Sequence, residues 1–356
     1  MTAGTTIAVV ALAVLVAVLA AVPWLVSDYG LGFMVNLMCY LVLTIAWVLF
    51  SGTTRYVSLA TAAFFGIGAY TVAMLVKELP LYACFGIALV VGTLVASLVG
   101  LVTLRISGMF FVVFGFGLSE LMREVLIWWE INQTKTLGRY VFVPFDTTLI
   151  YWHLLGLAVL VFLVGWLLRR SRLGIALLVI GDDETMARQA GINVPLAKVL
   201  IFIVSSVFMT MVGAIMAPRF GYLTPNFVFN PIISFQVVIM ALLGGMQRLW
   251  GPVLGIVPLI LLSEWLQVRA PFWYSVLLGL VFMVIVYFLP RGVTGLLEDA
   301  WQWLRRPVSL PRGITGPVID VWSYLSQPMT LPRGVAGAIE DKWARLTRRL
   351  PSGGRS

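Results

Sequence analysis

Apolar positions gather in long, nearly unbroken stretches along this chain instead of alternating with polar ones. Ten stretches fall at about 7–26, 33–50, 57–76, 81–104, 108–129, 152–168, 196–217, 232–245, 252–268 and 272–289. A helix needs about 20 such residues to cross the hydrocarbon core of a bilayer, so the pattern predicts an all-α, polytopic fold of about ten membrane segments. Gly66-Ile67-Gly68, Gly115-Phe116-Gly117 and Gly244-Gly245 mark points where backbones can approach closely, or where a helix can break under the cover of protein. A second reading of the same pattern shortens 57–76 and 232–245 into re-entrant elements.

Composition agrees with lipid as the solvent. Of the residues, 61% are hydrophobic and only 11% charged, with mean hydropathy +1.01, whereas a soluble domain carries about 25% charged residues. The first run reads as a transmembrane helix and not as a signal peptide, because no Lys or Arg precedes Arg55. If ten spans alternate, Arg55, Arg105, Arg169, Arg170, Arg172, Arg188, Lys198 and Arg248 share one side. Lys77, Lys135, Arg139, Arg219 and Arg269 share the other. Residues 291–356 add ten of the 24 Lys+Arg to the richer side, against five acidic groups, so both termini are expected in the cytoplasm. A basic excess placed in this way points to anionic lipid and away from nucleic acid.

The chain divides into a membrane domain, 1–290, and a tail, 291–356. Leu-Pro-Arg-Gly opens 21-residue units at Leu289, Leu310 and Leu331, with Trp301, Trp322 and Trp343 in register. The tail is expected to form three short amphipathic helices lying on the membrane surface, with packing on partner subunits as the alternative.

Chemistry on a substrate finds little support. Cys39 and Cys84 sit in apolar runs and His153 opens another, which is not the composition of a metal site. No GxxxxGK[ST] occurs, so the chain has no P-loop of its own and is not expected to be an enzyme. Glu120, Arg123 and Glu124 share a helix face at i, i+3 and i+4 and are expected to pair, with reception of a polar substrate as the other reading. Glu264 is a further charge within a span, and Arg269 lies too far round the helix to be its ideal partner.

The hydrophilic interruption at 169–195, RRSRLGIALLVIGDDETMARQAGINVP, is expected in the cytoplasm. Asp182 can cap a short helix, Asp183 and Glu184 suit its positive N-terminus, and Gly191 suits its stop. This stretch resembles the ATPase-docking loop of the LivM-type permeases of branched-chain amino acid and related importers, with matches at Ser171, Arg172, Gly174, Ala176, Ile180, Glu184, Ala187, Gly191, Ile192 and Asn193. VSLATAAFFGIGAY at 57–70 and LLGGMQRLWGPVLG at 242–255 resemble the early and late motifs of the same family. Departures occur at Arg55-Tyr56, where the family commonly has Gly-Gln, at Ala60-Thr61 in place of Gly-His, and in NQTKTLGRY at 132–140.

The resemblance implies a permease working by alternating access beside a second, LivH-like permease. Two cytosolic ATPases that bind ATP and Mg, and a periplasmic substrate-binding protein, complete the assembly; this chain binds no cofactor. It assigns ATPase docking to Arg172, Gly174, Asp182, Asp183, Glu184, Ala187, Arg188, Gly191, Ile192 and Asn193. Ser58, Thr61, Phe65, Gly66 and Glu120 are the candidates for the substrate path. Branched-chain amino acids are the favoured cargo, with urea, amides or aromatic and other carboxylic acids as alternatives within the same class. An ATP-independent secondary transporter or channel would call for ion-coupling carboxylates near the bilayer centre, which the sequence offers sparsely.

Overall fold

A computed structural model describes residues 16–103, 109–143, 145–246, 249–288 and 292–295. The second and third tail units, most of the first, and the start of the first apolar run lie outside the described residues. Each of the ten apolar runs contains a helix: α1 (Val16–Leu25), α2 (Asp28–Thr54), α3 (Thr61–Leu75), α4 (Leu81–Thr103), α5 (Met109–Gln133), α6 (Thr147–Arg170), α9 (Val194–Met216), α11 (Pro231–Gly244), α12 (Gly251–Arg269) and α13 (Tyr274–Phe288). Between them stand α7 (Arg172–Asp182), α8 (Glu184–Gln189) and the single turn α10 (Pro225–Val228). Among the described residues six helices are long and apolar enough to cross a membrane: α2, α4, α6, α9, α10 with α11, and α12. Helix α5 has the length, but it carries Glu120, Arg123, Glu124 and Glu130.

Helices α2 and α9 form the centre, since 72% of the apolar window of each is buried against 33% for α4. Helix α2 packs on α6, α9, α11 and α12, while α9 also receives α3 and α4. The α3–α9 crossing is unusually close. A Cβ added at Gly68 would stand 1.8 Å from the Thr210 carbonyl oxygen, and one at Gly213 would stand 1.9 Å from that of Phe65. In lipid, where apolar burial gives no drive between helices, such small-residue contacts supply association through backbone packing.

Two segments are broken helices, and both coincide with the runs singled out above as candidates for re-entry. After α2 ends at Arg55, in the left-handed region at φ 59, the chain turns back in extended form and α3 begins only at Thr61. Trp47 Nε1 donates to the Ser58 carbonyl at 2.7 Å, which sets Ser58 beside α2 seven residues before its last residue, about 10 Å along the axis. At the opposite end, a 3-10 turn (Ala217–Phe220) and α10 lead into α11, whose Tyr40–Gln236 contact and the approach of Met246 to Gly52 show it running parallel to α2. The two half-length helices meet at their starts: Ser234 Oγ accepts from the Ala62 N–H and donates to the Leu59 carbonyl, both at 2.9 Å.

The fold is not purely helical. A two-residue strand β1 (Arg139–Tyr140) pairs antiparallel with β2 (Tyr222–Leu223), clipping the loop after α5 to the exit of α9. The buried Glu130 carboxylate anchors that loop, accepting from the Gly138 N–H at 2.7 Å and from Arg139 Nε at 3.2 Å.

Candidate functional site

The 169–195 interruption folds as two helices. Ser171 caps α7 by accepting from the Gly174 N–H at 3.1 Å. Buried Gly174, Leu177 and Ile180 face the bundle, leaving Ile175 and Leu178 exposed. The expectation that Asp182 caps the short helix is corrected by one residue. Asp183 is the cap of α8, its Oδ1 accepting from Thr185 N–H at 2.7 Å and Met186 N–H at 3.2 Å, and those bonds hold its carboxyl below the ordinary range. Asp182 instead closes α7 and pairs with Arg55 at 2.5 Å, both side chains exposed.

Gly191 stops α8 as expected. At φ +79 it takes a left-handed conformation that costs glycine little, and its N–H reaches the Arg188 carbonyl at 3.0 Å. The Ile192 N–H returns to the carbonyl of buried Ala187 at 3.0 Å, and Asn193 then caps α9. Gly174, Ala187, Gly191, Ile192 and Asn193 therefore build the turn, whereas Arg172, Asp183 and Arg188 are displayed on its surface. Sequence reasoning missed the exposed Met186, and Ile175 and Leu178 as surface groups; the signal was three apolar side chains off the buried face of a short helical pattern.

Glu184 ties the two helices to the bundle. Its carboxylate accepts from Tyr56 OH at 2.6 Å, pairs with Lys198 of α9, and lies 3.6 Å from Arg188. Lys198, itself buried, lies over the Tyr56 ring with Nζ 3.9 Å from the centroid. Burial pushes the Glu184 carboxyl up, but the hydrogen bonds from Lys198 and Tyr56 and the nearby cations outweigh it and hold the group below its ordinary value. Tyr56, read above as a departure from a family pattern, and Arg55, read both so and as a loop cation, thus connect α7 and α8 to the extended segment from which α3 starts.

The five path candidates separate. Ser58 and Thr61 are buried beside Trp47 and the start of α3, and the Thr61 hydroxyl finds no partner among the described residues. Gly66 makes room for Phe229: a Cβ there would lie 2.4 Å from its ring. Glu120 is elsewhere, in α5, where it pairs with Arg123 at 2.5 Å while Glu124 takes the same guanidinium at 3.0 Å, the internal pairing expected of that triplet. Glu264 receives the Tyr29 hydroxyl at 2.8 Å across α2 and α12, a partner the sequence did not suggest. Phe65 alone of the five lines a cavity of about 620 Å³, walled by α2, α3, α10, α11, the ends of α9 and α12 and the start of α13. Tyr40 donates to Gln236 on its wall, and Gln236 donates to Tyr274.

Comparison with known proteins places this arrangement. The family pattern described as "Branched-chain amino acid transport system / permease component" matches residues 29–286. The chain is similar to the high-affinity branched-chain amino acid transport system permease protein LivM of Salmonella typhimurium, 25% identical over 310 residues that cover 76% of this chain and 71% of the relative. The protein of the same name from Escherichia coli is 25% identical over 306 residues, with the same coverage. The ribose import permease protein RbsC of Haemophilus influenzae is 24% identical over 199 residues, 53% of this chain and 61% of the relative. No solved structure matches the chain.

Proposed function

We propose that this chain, which belongs to the branched-chain amino acid transport system permease component family, uses α7 and α8 as the lever by which ATP drives import. As a member it is a multi-pass membrane subunit of an ATP-binding-cassette transporter, one component of a complex with other subunits. The finer reading adds a second, LivH-like permease, two cytosolic ATPases that bind ATP and Mg, and a periplasmic binding protein, in a bacterial inner membrane with both termini cytoplasmic. Closure of the ATPases moves α7 and α8, and the paired permeases tip between outward-open and inward-open packings. Branched-chain amino acids are the proposed cargo. Urea, amides and aromatic or other carboxylic acids stand as alternatives within the same importer class.

One observation carries the reading: Glu184 of α8 contacts Tyr56, at the exit of α2, and Lys198, in the first turns of α9, so α8 cannot shift without loading the two central helices. The exposed Ile175, Leu178 and Met186 supply an apolar surface for an ATPase groove. The test is the Glu184→Lys, Gly191→Pro double variant. The chain should still insert but no longer co-purify with ATPases or support uptake, and ATP-dependent uptake retained at the wild-type rate would reject the docking role. A binding protein of the same complex that took only sugars or polyamines would reject the cargo.

A further inference from the structure

The 620 Å³ cavity beside Phe65 lies in the size range of small-molecule sites, and its place in the bundle gives it direction. Met216 on its wall is the last residue of α9, a helix of 23 residues and hence about 35 Å long. The lever helices α7 and α8 contact that helix, and Glu184 of α8 pairs with Lys198 near its beginning, so the cavity opens a membrane thickness away from that pair. It also has depth. Asn36 and Leu43 on its wall lie 8 and 15 residues from the start of α2, about 12 and 22 Å along its axis, so the cavity runs from that far end towards mid-bilayer.

The lining contains one charged side chain, Arg219, and no carboxylate. Arg219 sits at the exposed mouth in the 3-10 turn after α9, where Nη2 donates to the Gly32 carbonyl at 3.0 Å. A guanidinium has five N–H donors in a planar fork suited to a carboxylate, and among the described residues no carboxylate forms an ion pair with it. The beginning of α11, a helix of 14 residues, faces the same space through Ile232 and Ile233 and adds the positive end of its dipole. Leu43, Phe65 and Phe227 give apolar wall. The Tyr40–Gln236–Tyr274 chain joins three of its polar groups to one another, and Asn36, Asn230 and Gln267 complete the neutral polar lining.

We infer that this cavity is a binding site for a small organic carboxylate with an apolar body, held at the mouth through Arg219. A cation such as a polyamine meets unopposed positive charge there, and a neutral sugar leaves the guanidinium without its anion. The inference rests on the importer reading above and narrows it, since it gives the chain itself a means of selecting cargo.

The test is thermal unfolding of the full-length chain in mild detergent, titrated in parallel with L-leucine, isovalerate, L-leucinamide and ribose. Leucine and isovalerate carry the carboxylate, leucinamide keeps the leucine body without it, and ribose has neither. The two carboxylates should protect the wild-type chain saturably while leucinamide and ribose do not. Arg219→Gln should weaken that protection by roughly tenfold or more, the scale of losing a charge-assisted bidentate contact, and Arg219→Lys should restore part of it. Carboxylates that protect the wild type no better than leucinamide or ribose overturn the assignment whether or not the variants fold, as does equal protection of a folded Arg219→Gln chain. Co-purification of ATPases with the wild-type chain, scored in parallel, separates the two readings. Its absence rejects the importer subunit, whereas its presence without carboxylate protection rejects the cavity assignment alone.

Discussion

Glu184 keeps its ion pairs with Lys198 and Arg188 only while it is ionised, so pH is a lever on the contact between α8 and the bundle. Its folded-state value is depressed, because burial, which raises it, is outweighed by the hydrogen bonds from Lys198 and Tyr56 and by the nearby cations. A depressed carboxyl contributes stability that is present above the unfolded value, about 4.3 for Glu, and is lost as pH falls through the folded value. Amide exchange protection across 184–192 should therefore stay level from neutral pH down to about 5, and fall only below the ordinary carboxylate range. Glu184→Gln should lower that protection at neutral pH and remove this acid-side component. Protection that declines between pH 7 and 5 would mean another group governs the turn. Ser234→Ala works by a different route: it leaves the Ala62 N–H and the Leu59 carbonyl inside the bundle without their side-chain partner. That should cost about 1–3 kcal/mol, read as a lowered unfolding temperature, and Ser234→Thr should recover part of it.

At the scale of elements, the half-length helix α3 depends on contact that no larger residue permits. Placing a side chain at Gly68 drives it into the Thr210 backbone, 1.8 Å from an ideal Cβ, and no rotamer change relieves a clash with backbone. Gly68→Leu should open the α3–α9 crossing at a cost above the 1–3 kcal/mol usual for overpacking, seen as a large drop in unfolding temperature and loss of monodispersity. Gly86 in α4 has nothing within 4 Å of the added Cβ, so Gly86→Ala should be neutral or gain up to about 1 kcal/mol from helix propensity. Similar effects at the two sites would refute the close-crossing account. The small residues of 57–70 and the positions of the helices were readable from the sequence, because hydropathy and glycine content are local properties. That Gly68 meets Thr210, 142 positions away, was not, because pairing between helices leaves no trace in either helix alone. The split of 169–195 at Asp183 was misread by one residue for a related reason: Asp182 and Asp183 are equally good caps, and the Arg55 that engages Asp182 comes from a distant turn.

Across the whole molecule, the cavity lies at one end of α9 and the proposed lever, α7 and α8, at the other, and neither the cavity nor the connection was legible beforehand. The cavity wall draws on residues between Asn36 and Tyr274 in seven helices and two 3-10 turns, so of the predicted path residues only Phe65 reaches it. The proposed connection runs through the extended stretch after α2, which Arg55 and Tyr56 fasten to Asp182 and Glu184 before the chain enters α3. Magnitudes rank its two fastenings. The Arg55–Asp182 pair has both side chains more than 60% exposed, a class worth about 0–1 kcal/mol and screened by salt. The Tyr56 hydroxyl donates to a half-buried, ionised carboxylate, a bond of about 1.5–3 kcal/mol. Tyr56→Phe should therefore leave assembly and basal ATP hydrolysis intact while lowering substrate moved per ATP several-fold. Arg55→Ala should have a smaller effect that vanishes as salt rises. The check is uptake and hydrolysis measured together in proteoliposomes holding the complete complex. An unchanged ratio in Tyr56→Phe, or a larger loss in Arg55→Ala than in Tyr56→Phe, would show that force reaches the cavity by α9 and not through the start of α3.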